Sequence, residues 1–142
     1  MADYLPTERD CAAEITKSKK RLQEIKLLWT KPKDKGQSKL VEEMAIESIK
    51  IHLWKKKYWV LRELQKRGPA DLYAYKIIDN RKIDYFVDAK GIHPKANYKP
   101  QFKRRAPSKF KDRDAILNRI QGIVYKGKIV FKDLNNKEVK IY

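Results

Sequence analysis

A chain of 142 residues, 42% hydrophobic and 37% charged, is long enough for one globular domain with a real core and a heavily hydrated surface. Thirty-five Lys and Arg against eighteen Asp and Glu leave a formal charge of +17, which selects polyanions as partners, nucleic acid before anionic membrane. The lone Cys11 excludes an internal disulfide and a cysteine-based zinc site, and no run reaches membrane-spanning length. The opening Met-Ala-Asp-Tyr-Leu-Pro lacks the charged and apolar regions of a signal peptide. The expected setting is therefore cytoplasmic, or the host cytoplasm if the gene is viral or mobile.

Thr7 and Asp10 form a capping-box pattern ahead of Ile15, Leu22, Ile25, Leu28 and Trp29, which predicts a first helix over about 7–29. Its apolar stripe is a candidate dimer face. A basic linker with Pro32 and Gly36 follows, and Ser38 is placed to cap a second helix reaching about Lys55. Val41, Met44, Ala45 and Ile51 lie on or near its buried stripe. Residues 58–64 read as a strand, Gly68-Pro69 as a turn, and 71–78 and 83–90 as two further strands. A third helix over about 111–121 and a terminal strand pair, Ile123–Phe131 and Glu138–Tyr142 around Asn135-Asn136, complete the chain. This order divides the chain into an N-terminal helix and basic linker, 1–37, and a core domain, 38–142, of mixed α/β class.

Seventeen positions separate Asp71 from Asp88, with a hairpin between them. With a two-residue turn at Asn80-Arg81, Asp71 falls opposite Lys90 and Tyr73 opposite Asp88. Side chains alternate along a strand, so Asp71, Asp88 and Lys90 then share one face, at separations of about 5–8 Å. An odd register shift would turn Asp71 away. Two carboxylates on one face suit a hard divalent cation, Mg²⁺ or Mn²⁺, and a neighbouring lysine suits a water or a phosphate oxygen. Asp88 follows the apolar Tyr85-Phe86-Val87, so the acid and the lysine close a buried strand, where unpartnered charge is costly.

The segment resembles the PD-(D/E)XK nuclease superfamily of restriction-endonuclease-like enzymes. The resemblance rests on Ala45-Ile46-Glu47, Trp59-Val60-Leu61-Arg62, Pro69-Ala70-Asp71 and Phe86-Val87-Asp88-Ala89-Lys90. It covers roughly residues 38–92 and is nearest to archaeal Holliday-junction resolvases or homing-type members. What it implies is a restriction-endonuclease-like mixed sheet flanked by helices, with an added N-terminal helix. It implies a metal-dependent endonuclease that hydrolyses DNA phosphodiester bonds, either structure-specific on branched DNA or belonging to a virus or mobile element. Asp71 and Asp88 would hold the metal, Lys90 would be the catalytic lysine, and Glu47 would be an auxiliary ligand, with the Ala89 carbonyl joining the shell. Glu43, one turn earlier, is the rival to Glu47, and Glu42 is adjacent. The chain departs from the family in having Asp88 where Glu is commoner, and in a longer hairpin and a longer basic stretch after Lys90.

Between Lys95 and Arg113 eight Lys or Arg accompany one acid, Asp112, interleaved with Tyr98, Phe102 and Phe110. Cations with aromatics suit phosphates and bases, and Lys95, Lys99, Lys103, Arg104, Arg105 and Lys109 are the candidate nucleic-acid contacts. His52 reads as structural, and His93 stands near enough to Lys90 to meet substrate. DNA and a second copy of the chain are the expected partners, with no membrane and no small-molecule cofactor. The competing reading is a non-catalytic basic nucleic-acid-binding protein.

Overall fold

The computed structural model describes residues 3–62, 70–97, 102 and 118–142. They form an α/β arrangement of two helices and one five-stranded mixed sheet. Helix α1 spans Glu8–Lys26 and α2 spans Gln37–Lys55. The strands are β1 Trp59–Arg62, β2 Leu72–Ile78, β3 Arg81–Gly91, β4 Arg119–Tyr125 and β5 Lys128–Lys132, in that spatial order. All neighbours are antiparallel except β3 and β4, which run parallel.

The capping box is present: the Thr7 hydroxyl accepts from the Asp10 N–H, and the Asp10 carboxylate accepts from the Thr7 N–H. Helix α1 ends at Lys26, three residues before the expected Trp29, and Gly36 rather than Ser38 occupies the N-cap of α2 at φ 85°. A left-handed cap of this kind suits glycine. The stripe expected to be free for dimerisation packs on α2 instead. Of that stripe Ile25 is buried and Leu28 exposed; the buried residues of α1, Cys11, Ser18 and Ile25, recur every seven positions.

Helix α2 covers one face of the sheet with Ala45, Ile46, Ile49 and Leu53. Against them lie Leu72 and Ala74 of β2, Tyr85, Val87 and Ala89 of β3, Ile120 and Val124 of β4, and Phe131 of β5. Lys76 also points to this side and is only 5% exposed. Its ammonium donates to the Lys56 carbonyl and to the main-chain oxygen of Tyr142, and lies 4.3 Å from the centre of the Tyr58 ring. Lys56 is the C-cap of α2, so the helix's negative end faces that buried cation.

Two sequence expectations are corrected. Of the third helix expected over 111–121, residues 111–117 lie outside the described residues, Asn118 is a turn, and 119–121 are the start of β4. The long strand expected over 123–131 is two strands turning at Lys126-Gly127, both with positive φ, and Glu138 makes a single bridge to Lys132. In the first case the parallel pairing with β3, a long-range contact, decides the outcome over local helix preference; in the second the Lys126-Gly127 turn folds β5 back antiparallel on β4.

Candidate active site

The β2–β3 hairpin fixes the two aspartates. Its two-residue turn is Asp79-Asn80, at φ 52° and 63°, the doubly left-handed geometry that Asn and Asp tolerate. The expected turn was one position later, at Asn80-Arg81. The observed register pairs Leu72 with Val87 and Tyr73 with Phe86, so Asp71, just before β2, comes level with Asp88 rather than Lys90. The change is two residues in register, so parity survives. Leu72 and Val87 are fully buried on the helix side, and Asp71, Asp88 and Lys90 fall to the opposite side.

Two bonds tie Asp71 to β3. Its N–H donates to the Val87 carbonyl at 3.1 Å, and its Oδ2 accepts from the Ala89 N–H at 2.8 Å. The carboxylate is thereby seated on the strand that carries Asp88 and Lys90. Asp88 Oδ2 accepts from Nε and Nη2 of Arg119, each at 2.8 Å. Those two side chains keep only 19% and 23% of their exposure, so the pair is largely shielded from bulk water. Gln121 lies beside Asp88 in the β3–β4 register, and Ile123 beside Lys90.

These residues line a cleft of about 580 Å³ at the end of the sheet where α2 begins. Its walls are Ser38, Val41 and Glu42 from α2, Asp71, the run from Asp88 to Gly91, and Arg119 with Gln121. Helix and strand approach closely because residue 91 is glycine. A Cβ there would stand 2.6 Å from the Val41 carbonyl oxygen and 2.7 Å from a Val41 methyl carbon.

Asp71, Asp88, Ala89 and Lys90 thus meet in one cleft, with Lys90 exposed at it. Glu47 does not join them: it pairs with Lys50 at 3.4 Å, one helical turn on. Glu43 is engaged by Arg21 of α1. The helix carboxylate that lines the cleft is Glu42. The sequence offered all three acids, and the helix phase set by Ala45, Ile46 and Ile49 against the sheet decides among them. Among the described residues no three His, Cys, Asp or Glu side chains cluster closely enough to hold a metal ion. Asp71 and Asp88 are the neighbouring carboxylates on the sheet that could serve such an ion. Two carboxylates are enough for Mg²⁺, which keeps several of its waters.

Compared with protein-family models, with curated proteins and with solved structures, the chain matches none.

His93, expected near the substrate, is turned inward and 6% exposed. The Gln37 Oε1 accepts from the Thr30 N–H, so His93 Nε2, at 2.8 Å from that oxygen, acts as donor, and Nδ1 accepts from the Lys95 N–H. The Trp29 ring meets it edge-on at 4.7 Å. The group ties the α1–α2 linker to the segment after β3. Lys95 is exposed; Lys99, Lys103, Arg104, Arg105 and Lys109 lie outside the described residues. Arg119 and Gln121 were not anticipated. The signal was the alternation of Arg119, Gln121, Ile123 and Tyr125 with Ile120, Gly122 and Val124, which a helical reading conceals.

Proposed function

We propose that the protein is a metal-dependent endonuclease acting on DNA, with Asp71, Asp88 and Lys90 as its central residues and a restriction-endonuclease-like core. The observation that carries this reading is the levelling of Asp71 with Asp88 across the hairpin, with Lys90 on the same side, all in one open cleft. A bound Mg²⁺ or Mn²⁺ would neutralise the phosphate and acidify an attacking water. The chain's own contributions are separate from the ion's. Ala89 holds the Asp71 carboxylate in place, and Lys90 orients a water or counters charge developing on the phosphate. Arg119 supplies a guanidinium that can exchange one carboxylate oxygen of Asp88 for phosphate oxygens of the substrate. The start of α2, with Ser38 in the cleft wall, adds the positive end of a helix with no acidic residue in its first turn. Two copies acting together would cut both strands, in a cytoplasmic setting.

The test is incubation with linear, supercoiled and four-way-junction DNA in Mg²⁺, in Mn²⁺ and in EDTA. Cleavage that needs the metal supports the reading, and no cleavage of any substrate in either metal removes it.

A non-catalytic nucleic-acid-binding protein is the second reading. It is favoured by one observation: Arg119 already neutralises Asp88, as a purely structural ion pair would. It requires that salt weakens binding steeply while metal has no effect.

A further inference from the structure

We propose that the face of β1–β3 turned away from α2 is a stacking track for unpaired nucleotides, which leads a single strand from Tyr4 to the Asp71–Asp88 cleft. Delivery of a strand to be cut rests on the nuclease reading above; binding of the strand does not.

The track follows from strand parity. On β2 the residues facing away from the helix are Tyr75, Tyr73 and then Asp71; on β3 they are Lys82, Asp84, Phe86 and then Asp88. Trp59 of β1 pairs with Tyr75, and Tyr4 extends the same edge by bridging to Ile77. The rings touch in sequence. Tyr4 stacks on Trp59 at 5.5 Å and on Tyr75 at 6.3 Å, Tyr75 on Tyr73 at 5.6 Å, and Tyr73 meets Phe86 at 4.7 Å. Phe86 lies level with Arg119, so the row ends where the carboxylate site begins.

The main core lies on the other side of the sheet, and Trp59, Tyr73, Tyr75 and Phe86 stay partly exposed on this one. Tyr4, at its outer end, is half exposed. The occupant is set by charge. The Lys82 ammonium stands 5.5 and 5.7 Å from the Tyr73 and Tyr75 ring centres, and Arg81 beside it is exposed, on a chain of net charge +17. The acid on the track, Asp84, is occupied by the Tyr73 hydroxyl at 2.9 Å. Ring faces flanked by cations are the chemistry that binds single strands: bases stack and phosphates pair, without regard to sequence. A duplex hides its base faces and cannot use the rings.

The experiment is fluorescence anisotropy in EDTA, which prevents any metal-dependent cutting. It uses a short labelled single strand of mixed sequence and the corresponding blunt duplex. Tyr75→Leu is expected to weaken single-strand binding roughly tenfold, within the range that loss of one stacked base gives. Duplex binding is expected to stay unchanged. Tyr4→Ala, at the exposed end, provides a variant whose fold the core does not depend on and is expected to lose affinity in the same direction. A 2-aminopurine strand should be quenched by the wild-type protein and less so by either variant. Unchanged single-strand affinity in folded variants, an equal loss for strand and duplex, or no quenching by wild type would each overturn the track. If the track binds as described but no DNA is cut in metal, the nuclease reading falls alone. If DNA is cut and the tyrosines are indifferent, the track falls alone.

Discussion

Arg119 and Asp88 face each other at 2.8 Å with little water around them, and each changes the other's availability. Removing the guanidinium in Arg119→Gln takes a charged donor from a largely buried carboxylate, at a cost of about 1–3 kcal/mol in folding stability. The same change takes a positive charge away from the Asp71–Asp88 pair. Mn²⁺ binding, measured by calorimetry, is therefore expected to tighten while the urea midpoint falls; weaker Mn²⁺ binding would mean that Arg119 builds the metal site. His93 makes a separate prediction. Burial first, then Lys95, lower its pKa below the usual 6.5, with Asp34 opposing, and burial first, with Lys56 and Lys55, does the same to His52. The folded protein keeps both neutral, so their contribution is complete above that value. Below it the unfolded chain takes up protons that the folded chain refuses, and stability drops until the folded pKa values are reached. The urea midpoint should be lower at about pH 5.5 than at about pH 7, and His93→Gln should flatten that slope. An unchanged slope in His93→Gln would show that His52 alone carries it.

At the scale of elements, what was legible in the sequence was what local period encodes. The β2–β3 hairpin alternates Leu72, Ala74 and Val87 with Tyr73, Tyr75 and Phe86, so parity placed Asp71 with Asp88 and Lys90 even though the turn sits one residue earlier than expected. The Thr7–Asp10 cap was equally local. What the sequence hid depended on distant partners. Arg119 enters the site only because β4 runs parallel to β3, and Glu42 lines the cleft in place of Glu47 only because of how α2 turns against the sheet. At Gly91 and Gly122 α2 comes close against that sheet. A Cβ at residue 91 would press on the rigid Val41 backbone at 2.6 Å; at residue 122 it would press on the end of the Ile49 side chain, also at 2.6 Å. Gly91→Ala is therefore expected to cost about 1–3 kcal/mol, and Gly122→Ala less, because a side-chain tip can move where a helix backbone cannot. Equal losses in chemical denaturation would contradict this account of the helix seat.

For the whole molecule, a charge of +17 favours polyanions under either reading, so affinity alone does not distinguish them. Log affinity should fall linearly with log salt concentration, with a slope of about −0.9 per phosphate contacted on duplex DNA and about −0.7 on a single strand. Asp88→Asn frees the Arg119 guanidinium for a phosphate and should steepen that slope by no more than about one contact. Among the described residues no helix is long and apolar enough to cross a membrane. Under the proposed function, a basic chain cuts because two aspartates and a lysine share one cleft. The most direct measurement is the nicking of supercoiled plasmid in Mg²⁺ by wild type, Asp88→Asn and Lys90→Ala, with EDTA as the control. The account predicts nicking by wild type that EDTA abolishes, and a loss of at least about a hundredfold in each variant, the scale of removing one catalytic group. Variants that nick at the wild-type rate would contradict it.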